Sequence, residues 1–213
     1  MDSPALLTNV LLPDGGFSQL PTASVFPNQQ PIEVDLGCGK GRFLIARAQA
    51  TPDTNFIGID RQFSRIQKID KRVARAGLTN VRLLRMEALH AIQNMLPEAS
   101  VRAFYIFFPD PWPKRKHHRR RLFSGQFLES LSIILTPGGL VHVMTDHGDY
   151  FQSIRTAFAA NPSFAPVQFP DFPETQRTDF EILFMNQQAS IGRCSFKKAQ
   201  RPAERGSLSS KTA

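Results

Sequence analysis

Residues 106 to 121 read IFFPDPWPKRKHHRRR: Pro109, Pro111 and Pro113 at alternate positions frame a lone Asp110 and Trp112, and eight basic or ionisable side chains follow. Each proline fixes its own φ and keeps the residue before it out of the right-handed helical region, so the spacing predicts a stiff, extended loop over residues 108 to 113. On an extended segment Asp110 and Trp112 share a direction. A loop that needs little ordering could hold a carboxylate and a flat ring against a ligand; the alternative is a stiff crossover whose Trp112 only packs. Lys114, Arg115, Lys116, Arg119, Arg120 and Arg121 form a candidate surface for a polyanion, against the alternative of a solvated charge cluster. His117 and His118 read as spacers or phosphate donors, with no metal site, because no Cys or acid at ligand spacing accompanies them.

A second chemical feature is DLGCGKG, residues 35 to 41, which follows a strand-like run and opens a helical one. Gly37, Gly39 and Gly41 alternate, which is not the G-x-G-x-x-G of a dinucleotide turn. Asp35 would repel a pyrophosphate docked at that helix start, so the turn suits a cationic ligand. S-adenosylmethionine carries a sulfonium, an ammonium and no phosphate. Asp60, nineteen residues past Gly41, is placed to accept hydrogens from a ribose, and Glu87 with Ala88 is placed for an adenine edge. With Asp110 and Asp146, these acids stand at five successive strand ends; taken singly, each could be a helix cap.

The elements that must carry these residues alternate along the chain. IEVDL, NFIGI, VRLLRM, VRAFYIFF and LVHVMT read as strands separated by helical runs, the last helix spanning about Tyr150 to Ala160. This implies a mostly parallel sheet with helices on both faces, and ligands bind outside the carboxyl ends of such strands. FAPVQF and EILFMNQQ read as a closing antiparallel pair. The division expected is an irregular N-terminal arm over 1–30, one domain over 31–192, and a basic, disordered tail over 193–213. The run at 114–121 and the tail together exceed the whole net charge of +8, so the remainder is slightly acidic. Arg61, Arg65, Lys68, Arg72 and Arg75 form a helical basic stripe that would extend a polyanion footprint or merely face solvent. Cys38 and Cys194 are too few for a disulfide framework, no membrane helix is visible and no signal peptide is recognised, so a cytoplasmic protein is expected.

DLGCGKG, GID, MEAL, FFPDPWPKRKHHRRR, TDHGDY and RTDFE together resemble the bacterial tRNA (guanine-N7)-methyltransferase family, from about Ile32 to Glu181. FPDPWPK is the most specific of these. The resemblance implies a Rossmann-like class I methyltransferase fold with a seven-stranded sheet, and methyl transfer from S-adenosylmethionine to N7 of a guanosine in the tRNA variable loop. It implies that Asp35, Asp60, Glu87 and Asp110 contact the cofactor beside Gly37, Gly39, Gly41 and Ala88, with Asp110 also catalytic. It further implies that Lys114, Asp146 and the stretch Thr178 to Glu181 hold tRNA. The family usually has Glu at the position of Asp35 and often Asp at that of Glu87, each a shift of about one methylene.

Guanine N7 already exposes a lone pair, so its methylation needs no general base, only alignment and negative charge near the developing cation. Asp110 suits both tasks. A second carboxylate, from Glu181 or Asp146, would accept the N1 and N2 hydrogens that distinguish guanine. Thr178 three residues before Glu181 is either a substrate hydroxyl or part of a capping box. The alternatives are a different RNA methyltransferase using the same cofactor, or a non-catalytic RNA-binding protein on this fold.

Overall fold

The computed structural model describes residues 9–11, 20 and 25–199. Its elements are β1 (Val10–Leu11), β2 (Ile32–Leu36), α1 (Arg42–Ala50), β3 (Asn55–Asp60), α2 (Phe63–Arg75), β4 (Val81–Arg85), α3 (Ala88–Asn94) and β5 (Val101–Phe107). Then follow a 3₁₀ turn (Arg115–Arg120), α4 (Gly125–Ile134), β6 (Leu135–Thr145), α5 (Gly148–Ala159), β7 (Phe164–Val167), a 3₁₀ turn (Glu174–Gln176), α6 (Asp179–Asn186) and β8 (Gly192–Lys198). One eight-stranded sheet forms in the order β1-β4-β3-β2-β5-β6-β8-β7. The pairs from β1 to β6 are parallel, and β8 runs antiparallel to both β6 and β7. The five expected parallel strands and the helices on both faces are present; the eighth strand is Val10–Leu11, inside the arm read as irregular. Asn9 secures it, donating from both its backbone N and Nδ2 to Asp70 Oδ1.

Side-chain alternation divides the core between the two faces. Val34, Ile57, Phe104 and Val143 pack with α3, α4 and α5, whereas Phe56, Leu83 and Met144 pack with α1 and α2. The strand order reverses between β2 and β5, which lie side by side at the centre, so the crevice at their carboxyl ends is the switch point of the sheet. Among the described residues no helix is long and apolar enough to cross a membrane.

Two expectations are corrected. EILFMN is not a strand but most of α6; a short apolar run is compatible with either element until packing decides. The partner of β7 is Gly192–Lys198, part of what read as the tail. Its polar composition conceals a strand whose Phe196 stacks on Phe158 of α5 at 3.8 Å. A chain ending at residue 191 would leave the edge of β6 unpaired and Phe158 without its partner, and is expected to lose cooperative thermal unfolding by circular dichroism; retention of a sharp transition would refute this.

Candidate functional site

Alternation along β2 sends Glu33 and Asp35 to the same face, about 7 Å apart, and both are buried. Their surroundings differ. Glu33 accepts from Arg102 Nη2 at 2.6 Å, Arg47 Nη2 at 3.3 Å and the Tyr105 hydroxyl at 2.7 Å, a satisfied structural network. The Asp35 carboxyl accepts no hydrogen bond among the described residues. Burial, and then the charge of Asp60, push its carboxyl up to about 8. The crevice is therefore close to neutral at this acid until a cation arrives, rather than permanently anionic.

The glycine turn that follows has φ of +86° at Gly37, +56° at Gly39 and +72° at Gly41, conformations that favour glycine. Its amides are spent inward: Gly37 N and Cys38 N donate to Ile59 O, Gly41 N to Cys38 O, and Gly39 N to Asp60 Oδ2. A turn with its amides so engaged is a poor phosphate nest. A Cβ on Gly37 would meet nothing within 4 Å and one on Gly39 only the Gly37 carbonyl at 3.8 Å, so the turn borders open space. Gly41 serves packing instead, since a Cβ there would lie 2.8 Å from Ile69. A buried unpartnered carboxyl beside open space fits a cationic, phosphate-free ligand.

The remaining strand-end acids are held in different ways. Asp60 accepts from Gln62 N at 2.8 Å through Oδ1, and from Gly39 N and Arg65 through Oδ2. Glu87 caps α3, accepting from His90 N at 3.0 Å, with Ala88 as the first helical residue; its second oxygen makes no hydrogen bond among the described residues. Asp110, Lys114 and Asp146 are exposed, on the loops that leave β5 and β6 at the same end of the sheet. His147, not Asp146, caps α5. In the α2 stripe, Arg65 is drawn to Asp60 and Arg72 to the Lys40 carbonyl, leaving Arg61, Lys68 and Arg75 on the surface.

The proline loop departs from a plain extended run. Phe108 has φ +53° and Trp112 φ +44°. A following proline bars the right-handed region but leaves the left-handed one open, and each such non-glycine residue costs on the order of 1–3 kcal/mol, so contacts must hold it. Phe108 N donates to Met144 O at 2.8 Å, and its ring lies against Phe180 and Phe184. Trp112 does not share a free direction with Asp110: its ring meets His117 edge-on, and the Arg120 guanidinium lies 4.9 Å above it. It packs against the basic turn.

Residues from the far end of the chain complete the crevice. Phe169 and Phe172 pin the segment after β7 into a cluster with Phe43, Tyr105 and Phe107, and Arg42 Nε donates to Arg177 O at 3.1 Å. This places α6 so that Thr178 and Asp179 line one cleft with Asp35, Gly37, Cys38 and Phe107. Thr178 Oγ1 accepts from Glu181 N at 2.9 Å, so its capping role is real. Glu181 is buried and its Oε1 accepts from Arg193 Nη2 at 2.9 Å, while Oε2 is left unbonded among the described residues. Arg42 and Arg193 were not singled out from the sequence; Asp179 entered only as part of the stretch Thr178 to Glu181.

The family described as "Putative methyltransferase" matches residues 29–193. A tRNA (guanine-N(7)-)-methyltransferase of Streptococcus thermophilus is 34% identical over 174 residues, which cover 79% of this chain and 81% of that protein. One from Nocardia farcinica is 38% identical over 137 residues, 64% of this chain, and the chain spans only about half, 51%, of that relative's length. Among solved structures, the 16S rRNA methyltransferase KamB superposes with TM-score 0.61 at 16% identity, covering 80% of this chain and 89% of that one. At that identity the likeness establishes the fold: a class I methyltransferase sheet.

Asp35 generates a pH test. Its folded pKa is raised, from 3.8 to about 8, so its contribution to stability is present below about pH 4 and is lost as pH rises through 8. The unfolding midpoint of Asp35→Asn should lack this decline. A cationic ligand bound beside Asp35 favours the ionised form, so binding near pH 7 should release a proton. Calorimetry in two buffers of different ionisation enthalpy measures it; equal apparent enthalpies would contradict the assignment.

Proposed function

This chain belongs to the tRNA (guanine-N7)-methyltransferase family, and on that premise we propose that it transfers a methyl group from S-adenosylmethionine to N7 of a guanosine in the tRNA variable loop, in the cytoplasm. The observation that carries the proposal is the unpaired Asp35 carboxyl beside a glycine turn whose amides are already engaged, in a cleft shared with Thr178. Asp35, Gly37, Gly39, Asp60, Glu87, Ala88 and Asp110 are the residues that would hold the cofactor, with Gly41 letting the turn pack against Ile69. When bound, S-adenosylmethionine supplies an electrophilic methyl group on a cationic sulfur.

The chain's own residues then have two tasks. The exposed carboxylates of Asp110 and Asp146 offer negative charge to a purine ring that becomes cationic as N7 is alkylated. Lys114, Asp146, Thr178 and Glu181 would orient the base, with Glu181 Oε2 free to accept from the N1 and N2 hydrogens of guanine while Arg193 holds Oε1. A base inside a folded tRNA must leave its stack to reach such a crevice. The exposed Lys114, Arg115, Lys116 and Arg119 beside the crevice suit the flanking phosphates.

Incubation with methyl-labelled S-adenosylmethionine and unmodified tRNA, followed by reduction and aniline cleavage, should place the label at a 7-methylguanosine. Label at any other position would favour a different RNA methyltransferase. Asp110→Ala should lower kcat roughly 100-fold or more with cofactor binding retained; loss of both would reduce Asp110 to a cofactor ligand. Neutralisation of about four phosphates predicts that log affinity for tRNA falls with log salt at a slope of roughly −3 to −4. A slope near zero would exclude the basic run as the docking surface.

A further inference from the structure

We infer that Arg121 is a positioning residue, clamping the Pro111 carbonyl against α5 and so setting the place of Asp110, and that it is not one of the cations that grip RNA. The inference rests on the methyl-transfer reading above. Six cations crowd residues 114 to 121, and by composition Arg121 is one of them. Its surroundings set it apart. The side chain is only 9% exposed. Nε donates to Pro111 O at 2.9 Å, Nη1 to Ser153 Oγ at 3.2 Å and Nη2 to Asp149 Oδ2 at 2.6 Å. The guanidinium also lies 4.9 Å from the centre of the Tyr150 ring, and the Tyr150 hydroxyl accepts from Leu122 N at 3.1 Å. All three guanidinium nitrogens are therefore turned inward, on a loop carbonyl and one turn of helix.

Asp110 makes no hydrogen bond among the described residues, so neighbours must set its position. It lies between two left-handed residues, Phe108 and Trp112, and a hydrogen bond to the backbone anchors each side of this kinked stretch. On the Phe108 side the anchor is the hydrogen bond to Met144 O in β6. On the Trp112 side it is Arg121, acting on the carbonyl of the residue directly after Asp110. Because α5 begins two residues beyond Asp146, the clamp also ties the Asp110 loop to the strand end that carries Asp146. A planar fork can serve a carbonyl, a hydroxyl and a carboxylate together on fixed directions, whereas an ammonium cannot reproduce them. Arg120, one residue earlier, faces the other way and covers Trp112.

Trp112 is the single tryptophan of the chain, and it directly follows the residue whose carbonyl Arg121 holds, so its fluorescence reports this loop. In Arg121→Ala the emission should shift to longer wavelength and acrylamide quenching should increase. Because misplacement by about 1 Å can cost on the order of 100-fold, kcat should fall at least about tenfold, with KM for tRNA and the salt slope of binding unchanged. Arg121→Lys should share the loss. Asp149→Asn, a surface change that keeps the fold, should give a partial loss, and the double variant should be no worse than Arg121→Ala alone; this pair carries the test if the alanine variant unfolds. Wild-type emission and kcat in Arg121→Ala, or in Asp149→Asn where the alanine variant is unfolded, would overturn the inference. So would a salt slope shallower by about one with kcat intact, which would make Arg121 a phosphate contact. Failure of the wild-type protein to methylate tRNA would refute the methyl-transfer reading, while the Trp112 emission would still decide the clamp.

Discussion

A buried carboxyl with no hydrogen-bond partner is costly, and among the described residues Asp35 sits in that condition at the carboxyl end of the central strand. Glu33, two residues earlier on the same face, shows the alternative: two arginines and a tyrosine hydroxyl meet it, and it acts as mortar between β2, α1 and β5. The fold thus contains both solutions side by side. The free protein tolerates Asp35 by shifting its proton equilibrium, and the missing partner defines the charge of the ligand that would relieve it. The glycine turn adds the complementary exclusion, because its amides point at Ile59 and Asp60 and offer no cradle for phosphate.

Around this crevice, few of the candidate residues position themselves. Asp110 inherits its place from a kinked loop anchored at Met144 and Arg121. Thr178 and Glu181 inherit theirs from a segment without strand or long helix, held by Phe169 and Phe172 in an aromatic cluster and by Arg42 and Arg193 at its far end. Phenylalanine suits this task, since edge-to-face rings fix an irregular segment without polar groups that would need partners. The chain uses 18 of them, and several tie loops to the sheet rather than filling its interior. The arginines divide in the same way, between those that hold carbonyls and carboxylates inside and those left on the surface.

The alternation of apolar runs was enough to give a parallel sheet flanked by helices, because period and length are local properties of the chain. Spacing along that alternation also located the glycine turn and the strand-end acids, since residues just past parallel strands converge on one edge whatever their distant contacts. The structure alone decided which of those acids is satisfied, that residues 181–186 are helical and that residues 192–198 form the inner strand of the closing pair. It alone separated Arg121 from its basic neighbours and turned Phe108 and Trp112 left-handed. These outcomes depend on partners far away in sequence, such as Arg193 for Glu181 or Asp149 for Arg121. Hydrogen bonding and burial act between groups that only folding brings together, so identical residue types in one run carry no local mark of which will turn inward.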